Sequence, residues 1–101
     1  MATNLVDALV DDIRDLLRTS AVGLYEFIWL LQARDASLSL EAKREQASLA
    51  LERLLADGQG RLALLMWPSE DVVETYPTTC VGPHSWEDPV LAEPYIAITR
   101  N

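Results

Sequence analysis

The chain has few residues of several chemically active types, and each shortage excludes a class of site. Cys80 is the one cysteine among 101 residues, which rules out an internal disulfide and favours a reducing compartment. His84 is the one histidine, so a zinc site would lack the further ligands that it needs. The pair Cys80–His84 also has no orienting third group, and no glycine-rich phosphate loop is present. We predict no metal, no cofactor and no enzymatic activity.

Long hydrophobic runs are also missing. The longest apolar-rich run, residues 21–31, contains Glu26 and is far shorter than the ~20 residues that span a bilayer. The first residues are not basic, and Asp7, Asp11 and Asp12 interrupt the apolar residues that follow, so we predict no signal peptide. These features predict a soluble, cytoplasmic protein without a membrane partner.

Basic residues are scarce relative to acidic ones. The chain has 8 Lys and Arg against 16 Asp and Glu, for a formal net charge of −8. Proteins bind nucleic acid and anionic lipid largely through Lys and Arg, so this charge disfavours both and suits a protein partner with a basic surface. Solubility alone is the alternative explanation of the charge.

Apolar residues make up half of the sequence, enough for one core, and the length predicts a single domain over residues 1–101. Their helical spacing predicts amphipathic helices over residues 4–18 and 39–56. Residues 21–33 are apolar almost all round, which predicts a central helix with both Phe27 and Trp29 in the core. Glu26 is expected at an edge of that helix, facing water. The inner face of the third helix is expected to contain Leu40, Ala47, Ala50, Leu51, Leu54 and Leu55.

Two strands are predicted in the second half of the chain. Gly58 ends the third helix, residues 61–67 follow as one strand, and residues 95–99 alternate like a second. Between them, residues 68–94 form an excursion with all five prolines, six acidic residues and no Lys or Arg. Apart from a short helical turn at its start, we predict an irregular loop, and loops of this length usually carry a function.

The sequence Leu-Leu-Ala-Asp-Gly-Gln-Gly-Arg-Leu at residues 54–62 resembles the passage from the recognition helix into the wing of a winged-helix domain. Residues 94–99 resemble the strand that closes the wing. The resemblance implies an α+β fold, a three-helix core with a two-stranded antiparallel β-hairpin. The excursion is longer than a simple wing. The turn between the last two helices must also fit within residues 34–40, which leaves little room for the short middle helix of a helix-turn-helix. A small helical bundle with a hairpin is therefore the alternative.

The excursion is also the predicted binding site. Aromatic side chains supply contact area, and carboxylates steer and pair with a basic partner. A solvated loop whose aromatic residues pack on the core is the alternative interpretation. The residues that we expect to contact a partner are Glu70, Asp71, Glu74, Tyr76, Trp86, Glu87 and Asp88.

The sequence leaves two candidate functions, protein binding and DNA binding. A DNA-reading helix needs exposed basic residues, but residues 39–57 carry Lys43, Arg44 and Arg53 against four acidic residues. We therefore favour a non-enzymatic protein-binding module that covers a basic surface. In size and charge the chain resembles the immunity proteins of bacterial toxin systems, which would imply a cationic toxin as the partner. The alternative is a winged-helix DNA-binding transcription regulator, acting as a homodimer through residues 4–18.

Overall fold

A computed structural model of the protein describes residues 5–67, 72–75, 81–89 and 93–100. The elements in chain order are α1 (Leu5–Leu17), β1 (Val22–Gly23), α2 (Leu24–Arg34), α3 (Leu40–Ala56), β2 (Arg61–Met66), β3 (Val72–Thr75), a short 3-10 helix (Pro83–Trp86) and β4 (Pro94–Thr99). The α+β class with three helices is confirmed. The arrangement is compatible with a winged-helix-like domain.

The sheet is larger than the sequence predicted. It has four strands in the order β1-β4-β2-β3, and every neighbouring pair is antiparallel. The prediction of a two-stranded hairpin was therefore wrong. β1 pairs with β4 through Val22–Ile98 and Gly23–Ala97, and β3 pairs with the outer side of β2. Both missed strands are short, and they form because a longer strand offers them a hydrogen-bonding edge.

β2 and β4 form the centre of the sheet. Their register runs over six residue pairs, from Arg61 opposite Thr99 to Met66 opposite Pro94. Gly60 precedes β2 where the two chains approach closely, since a Cβ there would lie 2.5 Å from the carbonyl oxygen of Thr99. Only glycine fits this position without a shift of the backbone.

Local signals fix the ends of α3. The hydroxyl of Ser39 accepts a hydrogen bond from the backbone N–H of Ala42 at 3.1 Å, which caps the first turn. At the other end Gly58 adopts a φ of 69°, and its N–H donates to the carbonyl of Leu55. The N–H of Gln59 donates to the carbonyl of Leu54, which completes a Schellman motif. The predicted glycine cap is confirmed.

The helices pack together on one face of the sheet, and their buried faces follow the apolar spacing. Four of the six residues expected on the inner face of α3 are buried, and Leu55 packs partly against them. Leu40 is 52% exposed, because it is the first residue of the helix and lies beyond the packed part. The largest fully buried side chains are those of Phe27, Leu9, Ile13, Leu24, Leu31, Leu54, Leu62, Leu65 and Ile98.

α2 differs most from its prediction. It begins at Leu24, because Val22 and Gly23 form β1. Phe27 is fully buried, as predicted, but Trp29 is 54% exposed, so the prediction of a buried Trp29 was wrong. Two residues correspond to about 200° around a helix of 3.6 residues per turn, which places Trp29 opposite Phe27. A helix that is apolar all round gives no sign of which side faces the core.

Glu26 was also placed incorrectly. Its side chain is half-buried, and Oε2 accepts a hydrogen bond from the backbone N–H of Gly23 at 2.7 Å. The carboxylate thus turns back over the first turn of α2 and satisfies a backbone donor at the junction with β1.

Ion pairs join α1 to both other helices. The guanidinium of Arg34 on α2 donates two hydrogen bonds of 2.9 Å to the carboxylate of Asp12. This pairing raises the pKa of Arg34, chiefly through the hydrogen bonds. Arg53 on α3 pairs with Asp7, and these exposed pairs contribute little stability each.

Candidate functional site

The segment after the 3-10 helix is attached to the core through Trp86. This side chain is 6% exposed, and its ring lies against Phe27 with centroids 5.8 Å apart. Burial of the ring does not support the hypothesis that Trp86 itself contacts a partner. Its effect is structural, because it fixes the backbone from which Glu87 and Asp88 project as exposed side chains.

Trp29 connects this segment to α2. Its indole N–H donates a hydrogen bond to Oδ1 of Asp88 at 3.0 Å. The ring of Tyr25, one turn earlier, meets Trp29 edge-to-face with centroids 4.9 Å apart. Tyr25 also makes edge contacts with Trp67 and Tyr95, so four aromatic rings form one cluster. Trp29 is the member with more than half of its surface open to solvent.

An open groove of about 350 Å³ lies beside this cluster. We call it the acidic groove. The carboxylates of Glu87, Asp88 and Glu93 are at its margin, and Tyr95 contributes an aromatic wall. No lining residue in the described part of the chain is Lys or Arg. The residues that line the groove are Leu64, Ser85, Glu87, Asp88, Pro89, Glu93, Pro94, Tyr95 and Ile96.

The fold explains why these residues meet. β2 and β4 are paired so that Leu64 lies opposite Ile96, which forms an apolar floor. Glu93 precedes β4, and its carbonyl accepts a hydrogen bond from the N–H of Trp67 at 3.1 Å. The end of β2 is thereby held against the start of β4. Two parts of the excursion, residues 85–89 and 93–94, therefore meet near the end of β2 and the start of β4, at the centre of the sheet.

Apart from the buried Trp86, the predicted contact residues fall into three groups. Glu87 and Asp88 are exposed and line the acidic groove. Glu74 lies in β3, where its backbone is paired with that of Leu64, a groove residue. Three of the predicted residues lie outside the described residues: Glu70, Asp71 and Tyr76.

Sequence reasoning missed the apolar and aromatic part of this site. Trp29 was assigned to the core, and Tyr95 was treated only as a strand residue. Glu93 was counted in the acidic charge of the excursion but not among the contact residues. Glu93 stands next to Pro94 at the start of a strand, and this position could have identified Glu93 as a candidate contact residue.

The described part of α3 offers no matching basic surface. Arg53 pairs with Asp7, and the ammonium of Lys43 contacts the amide oxygen of Gln32. Arg44 is half-buried and lines a second pocket together with Val81 and Trp86. The exposed carboxylates on and just after this helix are Glu41, Glu45, Glu52 and Asp57.

No group of three His, Cys, Asp or Glu side chains that could hold a metal ion occurs within the residues described. Cys80 lies outside them. None of the described helices is long and apolar enough to cross a membrane. No protein-family model, no curated protein and no solved structure matches the chain.

Proposed function

We propose that this chain is a non-enzymatic protein-binding module that covers a basic surface of another protein through the acidic groove. The observation that carries the proposal is the composition of the groove, in which three carboxylates surround an apolar and aromatic floor. Carboxylates pair with Arg and Lys of a partner, and the floor accepts the apolar stems of those side chains.

Trp29 supports the same surface. Exposed tryptophan is a common anchor of protein interfaces, and its indole N–H is already satisfied by Asp88. The ring therefore presents its apolar face without leaving a polar group unpaired. Trp29 does not line the groove itself, but a cationic side chain that pairs with Asp88 can also interact with this face.

The immunity proteins of bacterial toxin systems act in this manner, by covering the cationic surface of a toxin. This chain is similar to them in size and charge, and a basic toxin domain is the kind of partner that we propose. The alternative function, DNA binding by a winged-helix regulator, needs basic residues on α3 that are free to reach phosphates. The contacts of Lys43 and Arg53 within the protein weigh against it.

The test is capture of a partner from native lysate, followed by a comparison of two charge-reversal variants. Glu87→Lys with Glu93→Lys changes the groove and leaves the Asp88–Trp29 hydrogen bond in place. Glu41→Lys with Glu52→Lys is the matched control, with the same change in charge on exposed positions of α3.

We expect a basic protein to be captured by the wild type and by the control, and to be lost by the groove variant. The loss should be greater at low salt, where surface charges are screened least. Equal capture by both variants would exclude the groove as the binding surface. Capture of nucleic acid by the wild type, strengthened by the positive charge that the α3 reversal adds, would favour the alternative function.

A further inference from the structure

A basic pocket lies at the opposite end of β4 from the acidic groove. We define it by the residues that line it, which are Arg14, Leu17, Arg18, Gln59 and Arg100. Its volume is about 230 Å³. Three of the eight basic residues of the chain therefore line one concavity in a protein of net charge −8. The function proposed for the acidic groove does not use this pocket.

The fold brings the three arginines to one pocket from the end of α1 and the end of β4. Arg14 lies in the last turn of α1, Arg18 is the first residue after the helix, and both line the pocket. Arg100 follows β4, and its Nη2 donates a hydrogen bond of 3.0 Å to the carbonyl of Arg18. The third guanidinium is thus tied to the end of α1.

Carboxylates neutralise this cluster only in part. Arg14 lies 3.4 Å from Asp57 and 3.5 Å from Asp11, and both pairs are exposed. Within the part of the chain that the structure describes, neither Arg18 nor Arg100 has a carboxylate at ion-pair distance. Arg18 and Arg100 therefore bring to this pocket two positive charges that no described carboxylate pairs with, although the chain has twice as many acidic as basic residues. An anion bound between them would reduce their mutual repulsion.

We propose that the basic pocket binds a compact phosphate group, as free phosphate or as the phosphate of a small ester. Guanidinium forks match the oxygen atoms of phosphate, and three of them can each contact a different oxygen. The amide of Gln59 can add a further donor. A small anion fits better than a nucleic acid, because the net charge of −8 repels an extended polyanion.

The test is a titration followed by amide NMR at constant ionic strength, with inorganic phosphate, phenyl phosphate and acetate as separate probes. We expect saturable shifts at Arg18, Gln59 and Arg100 with both phosphate probes. Acetate should give only small, non-saturating shifts, because it carries one charge and two oxygens. Tighter binding of inorganic phosphate would identify a site for the free anion, and tighter binding of phenyl phosphate a site for an ester.

Arg18→Gln and Arg100→Gln should each weaken phosphate binding about tenfold, since each removes one charged donor. Lys43→Gln removes the same charge away from the pocket and should leave the affinity unchanged. Thermal melts of all three variants check that they fold. Shifts that do not saturate, or that persist unchanged in Arg18→Gln, would overturn the proposal.

Discussion

Trp29 and Phe27 show what a helical pattern can and cannot determine for a single residue. The sequence predicted both as core residues, because α2 has apolar side chains in nearly every direction. Only Phe27 is buried, since one side of the helix meets α1, α3 and Trp86, while the other carries Trp29 toward Asp88. The side that a uniformly apolar helix buries depends on tertiary packing, which periodicity does not report.

The difference in burial predicts different energetic effects. Phe27→Ala should lower the free energy of unfolding by about 3–5 kcal/mol, because it leaves a cavity in the core. Trp29→Ala should cost about 1 kcal/mol, since it removes one exposed hydrogen bond and an edge contact with Tyr25. Urea unfolding of both variants measures the two values. An equal loss in the two variants would show that Trp29 belongs to the core after all.

Asp35 predicts a local effect of pH. Ser37 donates hydrogen bonds to its carboxylate from both its hydroxyl and its backbone N–H, and the pKa of Asp35 is lowered from its ordinary value of 3.8. The hydroxyl bond is the larger cause. A carboxylate with a lowered pKa stabilises the folded state fully above its ordinary pKa, and the contribution disappears as the pH falls through the lowered value.

Ser37→Ala should therefore reduce stability at neutral pH, and the difference from the wild type should shrink as the pH falls below 3.8. Urea midpoints measured across the acid range test this expectation. Ser48→Ala, a serine on α3 that makes no hydrogen bond to Asp35, is the comparison for loss of a hydroxyl. A difference for Ser37→Ala that is constant with pH would show that the hydrogen bond does not act on the charged form.

At the scale of elements, the sequence predicted the three helices and the two central strands to within a few residues. Local signals explain this success: Ser39 and Gly58 fix the ends of α3, and an apolar stripe marks α1. β1 and β3 were missed because two and four residues carry too little pattern to be recognised. Their strand form depends on pairing with residues that are far away in the sequence.

The candidate site, like the fold, has a part that the sequence predicts and a part that depends on tertiary contacts. Two of its three acidic residues, Glu87 and Asp88, were among the predicted contacts, because an unopposed run of charge is visible in the sequence. The groove itself could not be predicted, since Leu64 and Ile96 meet only through the register of β2 and β4. Trp29 reaches Asp88 at the margin of the groove only because Trp86 anchors the neighbouring segment in the core.

The charge of α3 predicts the behaviour of the protein toward DNA. We expect fluorescence anisotropy with random duplexes at low salt to show nothing tighter than ~10⁻⁴ M, the range of non-specific binding. Glu41→Lys with Glu52→Lys should strengthen this weak binding by providing phosphate contacts on the exposed face. A submicromolar complex of the wild type whose affinity falls steeply with salt would instead favour the winged-helix regulator.

At the scale of the whole molecule, the charge is divided between the two ends of β4. The acidic groove is at the Pro94 end, and the three arginines of the basic pocket are at the Thr99 end. The electrostatic field of such a molecule attracts a charged partner and also orients the two proteins relative to each other. A basic protein should meet the groove first and should be repelled by the opposite end.

This asymmetry leads to a kinetic prediction for the complex with the captured partner. Glu87→Lys with Asp88→Lys should slow association about tenfold at low salt, because long-range attraction accelerates encounter. Trp29→Ala should mainly speed dissociation, about fivefold or more, since an apolar anchor acts only at contact. Surface plasmon resonance at several salt concentrations separates the two rates, and the effect on association should fade as the Debye length falls below about 8 Å.

Glu41→Lys with Glu52→Lys carries the same change in charge and should alter neither rate strongly. If that control slowed association more than the groove reversal did, the contact surface would lie on α3, and the acidic groove would have no part in binding.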